Sequence, residues 1–227
     1  MRIPSKLSAF LAVLALAFTL IAGSAAAQEA TPESLQPADL DGLQHGVARA
    51  YTIDYSALID LAATPGAEMT VPSGVLTLSA VILEFDSSGN AETALALLQE
   101  DATTDMVGET AEVTEIDLNL GDASIGYASV EEFEGQELET IIAVVQQDAY
   151  VYFAVGVGSD QDMQTLVNEF TTTLIDNEGS GAGELNDDAT YSGGLWNKFP
   201  AADDETIADL IPYDSVIFPE PEGTPAP

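Results

Sequence analysis

The side chains able to move protons or hold ligands are unevenly supplied. The chain carries 39 aspartates and glutamates, one histidine, seven tyrosines, four lysines and arginines together, and no cysteine. A nucleophilic triad needs a base that orients and deprotonates its hydroxyl or thiol. The single histidine, His45, stands in a polar stretch next to Gly46. That context predicts an exposed imidazole with no catalytic partner, and no Gly-x-Ser-x-Gly elbow occurs. Paired carboxylates serve glycoside hydrolysis, but with 39 acids such pairs arise by chance, and one tryptophan makes a poor sugar platform. For calcium, the densest acidic runs are Asp160-x-Asp162, Asn186-Asp187-Asp188 and Asp203-Asp204-Glu205. None continues as Asp-x-Asp-x-Asp-Gly with a distal Glu, and Asp160 and Asp162 fit the acid-favouring start of a helix. No phosphate-cradling glycine motif is present; Gly156-Val157-Gly158 is expected to be a strand-end turn whose nearby acids repel an anion. The expectation is therefore no catalytic residue, no metal site and no cofactor.

The aromatic residues are more informative. On the strand expected at Tyr150–Val157, Tyr150 and Tyr152 share one face, while Val151, Phe153, Val155 and Val157 share the other. The aliphatic face is expected to lie under helices. Tyr127 is expected to join the other two tyrosines, and Trp196 in the Leu195–Phe199 segment is the candidate cover for them. Tyr127, Tyr150, Tyr152 and Trp196 thus form the candidate ligand or partner surface, since tyrosine combines apolar area with a hydroxyl. The alternative is that residues 49–74 or 195–218 simply pack there.

Charge narrows the partners. Arg2 and Lys6 precede an apolar run from Leu7 to Ala22 and the small residues Ala25-Ala26-Ala27, the pattern of a cleaved secretory signal. The run is near the length of a membrane span, so an uncleaved anchor is the alternative. Removing residues 1–27 leaves two cations against 39 acids, a net charge of −37. Such a chain has no basic patch for nucleic acid and none for an anionic membrane surface. Its acids are spread along the sequence, which favours adaptation to salt that screens their repulsion. Divalent-cation binding is the competing explanation. The partner is an unidentified protein or small ligand.

The elements that must position these residues occupy 75–175. Val75–Phe85 is apolar on both faces, as in a covered central strand. Asp86 to Asn90 is a turn rich in helix caps. Ala91, Ala94, Leu95, Leu98 and Ala102 then form a helical stripe. Strands are expected at 110–120, at 124–133 with Gly126 a candidate bulge, at 138–145 and at 150–157, the last two joined around Gln147-Asp148. Met163, Leu166, Val167, Phe170 and Leu174 mark a second helix. The order β-α-β-β-β-β-α argues an α+β fold. The expected architecture is a five-stranded, mainly antiparallel sheet with both helices on one face. Residues 28–74 read as an extension and lead-in containing one short helix within Ala50–Ala63. Residues 176–194 read as a Gly/Ser/acid linker, and 195–227 as a tail ending in four prolines.

Phe85-Asp86-Ser87 before a helix, Leu120-Gly121-Asp122-Ala123, and Val144-Val145 leading into Tyr150-Val151-Tyr152 form a combined signature. Across 75–175 the chain resembles a group of secreted bacterial α+β domains and, more loosely, the extracytoplasmic sensor domains of bacterial receptor kinases. The resemblance implies a fold and brings no active site. Such domains often carry a basic residue before the last hairpin, where this chain has Gln146-Gln147-Asp148, and the cysteine pairs of the receptor-kinase sensors are absent. The expected function is a secreted, non-enzymatic binding or sensing module. The alternatives are a cell-surface interaction module and a carboxylate-dependent hydrolase.

Overall fold

The computed structural model describes residues 40–54, 72–105, 113–133, 136–177, 194–201 and 204–218. In chain order these form β1 (Leu43–Thr52), β2 (Gly74–Phe85), α1 (Ser88–Asp105), β3 (Val113–Ile116), β4 (Ala123–Phe133), β5 (Gln136–Gln147), β6 (Tyr150–Ser159), α2 (Met163–Asp176), a one-turn 3-10 helix (Leu195–Lys198) and β7 (Ile211–Phe218). The expected signal segment, residues 55–63 of the expected lead-in helix, most of the linker and the proline-rich end lie outside the described residues. Among the described residues no helix is long and apolar enough to cross a membrane.

The fold is α+β with one antiparallel sheet and two helices, but the sheet has seven strands, not five, in the order β3-β4-β5-β6-β2-β1-β7. The two additional strands come from the stretches read as lead-in and tail. In β1, Gly46-Val47-Ala48-Arg49-Ala50-Tyr51-Thr52 pairs with β2 on one side and β7 on the other. Residues 50–52 are therefore strand, where a short helix was expected to begin. The strand expected at 110–120 is described as strand only over Val113–Ile116. Beyond it the backbone turns through Asn119 at φ 51°, and the Leu120 amide donates to Ser124 Oγ at 3.2 Å.

The two helices lie on opposite faces, which corrects the expectation that they share one. β2, β5 and β6 are apolar at successive positions, so each face of the sheet has apolar surface to remove from water. Ala91, Ala94 and Leu95 of α1 pack with Ile142, Val144, Val151, Phe153 and Val155. Met163, Val167, Phe170 and Leu174 of α2 pack on the other side with Leu78, Ile141, Ala143, Tyr152 and Ala154. Both stripes are thus as read, but their targets differ.

Local chemistry starts both helices. Ser87 Oγ accepts from the Asn90 amide at 3.3 Å ahead of α1. Asp162 caps α2 by accepting from the Thr165 amide at 3.0 Å. These hydrogen bonds to Thr165 hold the Asp162 carboxyl below its ordinary value.

Along β6 the face toward α2 runs Tyr150, Tyr152, Ala154, Gly156, Gly158, a steady loss of bulk. A Cβ on Gly156 would lie 2.4 Å from Val167 Cγ2, and one on Gly158 2.5 Å from Met163 Sδ. Gly156-Val157-Gly158 is therefore not a turn but the place where helix meets strand. Gly126 likewise sits in unbroken register with Ala143 and is no bulge. A Cβ there would meet Ile116 and Leu118 at 2.7 and 2.8 Å.

Candidate functional site

The tapered face of β6 leaves its bulky end to be covered by something other than α2. The cross-strand register builds that end in rows. His45 faces Glu84, and Glu84 faces Tyr150; Val47 faces Ile82, and Ile82 faces Tyr152; Arg49 faces Ala80. Facing residues of neighbouring strands point to the same side of the sheet. His45, Arg49, Glu84, Tyr150 and Tyr152 therefore share the α2 face.

The Leu195–Phe199 segment packs on this surface, beside Tyr150 and Tyr152. Leu195, Trp196 and Phe199 are buried at 2, 4 and 0 % exposure. The Trp196 and Phe199 rings sit 5.7 Å apart, and the Arg49 guanidinium lies 5.2 and 5.1 Å from their centroids and 6.0 Å from that of Tyr51. The Lys198 ammonium lies 4.7 Å from the Tyr150 ring centroid and 5.5 Å from that of Tyr152. These distances are within the range where a cation is attracted to a ring face. From the end of α2, the Asn177 side-chain Nδ2 donates to the carbonyl oxygens of Lys198 at 3.2 Å and Phe199 at 3.3 Å.

Of the four cations in the chain, Arg2 and Lys6 lie outside the described residues; the other two meet here. The histidine is here too. His45 is not an isolated residue of a polar lead-in: its Nδ1 lies 2.8 Å from Glu84 Oε2, with side-chain exposures of 32 and 25 %. The Tyr150 hydroxyl donates to the other oxygen of the same carboxylate at 3.0 Å. An ionised carboxylate only accepts, so Nδ1 carries the hydrogen and Nε2 the lone pair when the ring is neutral. That orients a base. Among the described residues its hydrogen-bond partner is Glu84.

Burial, then the Glu84 hydrogen bond, raises the Tyr150 hydroxyl above its ordinary value. Burial dominates at Tyr152, with Tyr150, Asp148 and Glu84 adding to a larger upward shift. Both tyrosines therefore stay protonated through the neutral range.

Tyr127 does not belong to this group. It faces Ile142 on β5, which faces Val155 on β6, and these residues all point toward α1. It is 5 % exposed. Burial and the neighbouring Glu115 raise its hydroxyl. The four candidate residues thus divide: Tyr150, Tyr152 and Trp196 meet on the α2 face, and Tyr127 lies across the sheet.

Near Tyr127, a cleft of ≈ 570 Å³ opens between α1 and the β3–β4 edge. Leu95, Ala123 and Ile125 give it an apolar floor, and Gln99, Glu115, Asp117 and Ser124 a polar margin. Glu115 and Asp117 both stand in solvent. Among the described residues no group of three or more His, Asp or Glu side chains is placed to hold a metal ion.

Sequence reasoning missed Arg49 and the His45–Glu84 pair. The available signal was the alternation of Val47, Arg49 and Tyr51 with Ala48 and Ala50, the two-residue period of a strand.

Comparison with protein-family models, with curated proteins and with solved structures finds no match in any of the three.

Proposed function

We propose that this chain is an extracytoplasmic, non-enzymatic binding module adapted to salt, and that it recognises its ligand on the tyrosine-bearing end of the α2 face. One observation carries the reading. In a chain with four cations and 39 acids, Arg49 lies over the Trp196 and Phe199 rings and Lys198 over the Tyr150 and Tyr152 rings of one sheet face. Trp and Arg anchors packed together in a desolvated patch are the composition of strong recognition surfaces. The signal-like N-terminus supports the extracytoplasmic assignment, and the net charge of −35 supports work in salt.

The test selects binders from displayed peptide and small-molecule libraries at molar NaCl. Trp196 is the only tryptophan, so its emission reports this surface alone. Ligands that shift that emission, and lose about tenfold or more in affinity on Arg49→Ser, support the reading. Ligands indifferent to both would remove it. The hydrolase alternative draws on the α1 cleft, where Glu115 and Asp117 share one margin. Both are solvent-exposed, whereas acid catalysis by a carboxyl group uses a less polar setting.

A further inference from the structure

The segment on the tyrosine face is held as a bound peptide is held. Two aromatic anchors lie three residues apart, Trp196 on the 3-10 turn and Phe199 at its C-cap, with Lys198 between them. The sheet supplies Arg49 for the anchors and Tyr150 and Tyr152 for the cation. Asn177 bridges two consecutive backbone carbonyls, a contact that any peptide of this shape reproduces whatever its side chains.

Resting on the binding-module reading, we propose that this groove recognises a short peptide segment bearing two aromatic anchors around a cation, and that Leu195–Phe199 occupies it in cis as an autoinhibitory stand-in. Charge complementarity selects the cation: an overall charge of −35 attracts a basic segment and repels an acidic one. The aromatic faces select its flanks, because they retain affinity in salt that screens exposed ion pairs. The internal segment fits well and not perfectly. Trp196 Nε1 is buried with no hydrogen-bond partner among the described residues, which weakens the cis contact. Displacement returns that donor to water, so a competitor that buries no unsatisfied donor has an advantage over the internal segment. The cis segment benefits from a high effective concentration, so it sets a threshold that only a well-matched partner exceeds.

The probe is the acetylated and amidated peptide Gly-Gly-Leu-Trp-Asn-Lys-Phe-Pro-Ala, with a control in which its lysine is glutamate. In molar NaCl it is titrated against the full chain and against the full-length double variant Trp196→Ala/Phe199→Ala, whose groove lacks its internal anchors. The expected result is binding to the variant at least about tenfold tighter than to the unaltered chain, and loss of binding for the glutamate control. Equal binding to both proteins would reduce the effect to general attraction to an acidic surface and overturn the proposal. So would absence of binding to a variant that still melts cooperatively. If the variant fails to fold, the unaltered chain labelled with 5-fluorotryptophan carries the test. Millimolar peptide is expected to move its single fluorine resonance toward the exposed position, and an unmoved resonance overturns the proposal. If the peptide fails while library ligands still depend on Arg49, only the peptide class falls. If neither engages the surface, the binding-module reading falls with it.

Discussion

The Lys198 ammonium lies 4.7 Å from the centroid of the Tyr150 ring, across a gap of 48 positions in sequence. Tyr150 in turn donates to Glu84, which holds His45. A residue of the C-terminal segment is thus joined to the first strand through two intermediate side chains. The segment following α2 is a working part of the sheet face, since it also leads into β7, which pairs with β1.

The first prediction concerns salt. A folded chain of net charge −35 repels itself at low ionic strength. With a Debye length of about 10 Å at 0.1 M and about 3 Å at 1 M, added NaCl screens that repulsion. The melting temperature is expected to rise by several degrees between these two conditions, measured by circular dichroism. A flat or falling melting temperature removes the salt-adapted reading. Stabilisation by millimolar Ca²⁺ far beyond that by Mg²⁺, at fixed ionic strength, would replace it with a specific cation site.

The second prediction tests the taper along β6. Gly156→Ala places a Cβ 2.4 Å from Val167 Cγ2 and 3.0 Å from Met163 Cε. Helix α2 must shift, or these side chains must leave their rotamers, at a cost of about 1–3 kcal/mol. Chemical denaturation is the measurement. Gly89, where an added Cβ meets nothing within 4 Å, is the control: Gly89→Ala is expected to be neutral or slightly stabilising in the first turn of α1.

The third prediction removes the central ring of the α2 face. Phe170 is fully buried and meets Tyr51 edge-on with centroids 5.9 Å apart. Phe170→Ala is expected to cost about 3–5 kcal/mol in urea unfolding. A cost below about 1 kcal/mol would mean that α2 does not pack through this ring.

Much of this fold was legible because it depends on periodicity. The stripe Met163, Leu166, Val167, Phe170, Leu174 is the buried face of α2, and Tyr150–Val157 alternates as a strand does. What was lost was the partner of each pattern. Successive apolar residues such as Ile141 and Ile142 serve opposite faces, and a one-dimensional stripe does not say which face its helix covers. The information was present in Ala154, Gly156 and Gly158, whose small side chains on the tyrosine side admit α2. β1 was hidden because its alternating partners are alanines, which give weak contrast, and because Arg49 breaks the apolar set. Arg49 is tolerated there because aromatic rings receive its guanidinium. Tyr127 was misassigned for a matter of register: whether it shares a face with Tyr152 depends on how β4 and β5 align, and one residue of slip reverses the answer.

The fourth prediction uses the cap of α2. Hydrogen bonds to Thr165 hold the Asp162 carboxyl below its ordinary value of 3.8. A depressed carboxyl adds stability above its unfolded-state value, and that contribution disappears as pH falls through the folded one. Asp162→Asn keeps an accepting oxygen for the Thr165 amide and has no proton to gain. Its melting temperature is expected to fall less steeply than that of the unaltered chain as pH is lowered from 5 to 2. Parallel curves would show that the cap contributes nothing to acid sensitivity.

The last prediction concerns the alkaline limit and Tyr152. Its ring is 1 % exposed, and burial, reinforced by Tyr150, Asp148 and Glu84, raises its hydroxyl well above the ordinary 10.0. A raised folded-state value means that the native chain keeps this proton after the unfolded chain has released it. The stability it contributes is fully present below pH 10 and declines as pH rises from there toward the folded-state value. Stability is therefore expected to drop steeply with pH in the range above 10, as the unfolded state gains ionised tyrosine that the native core refuses. Tyr152→Phe removes the titrating group and keeps the ring. It is expected to lessen that slope while changing the folding free energy at pH 8 by no more than about 1 kcal/mol. Urea midpoints taken in steps from pH 8 to pH 11 read both quantities, and absorbance at 295 nm follows tyrosinate directly. An unchanged alkaline slope in Tyr152→Phe, or tyrosinate absorbance showing all seven tyrosines ionising together near pH 10 in a chain that is still folded, would mean that this hydroxyl is not buried beneath the Lys198 segment.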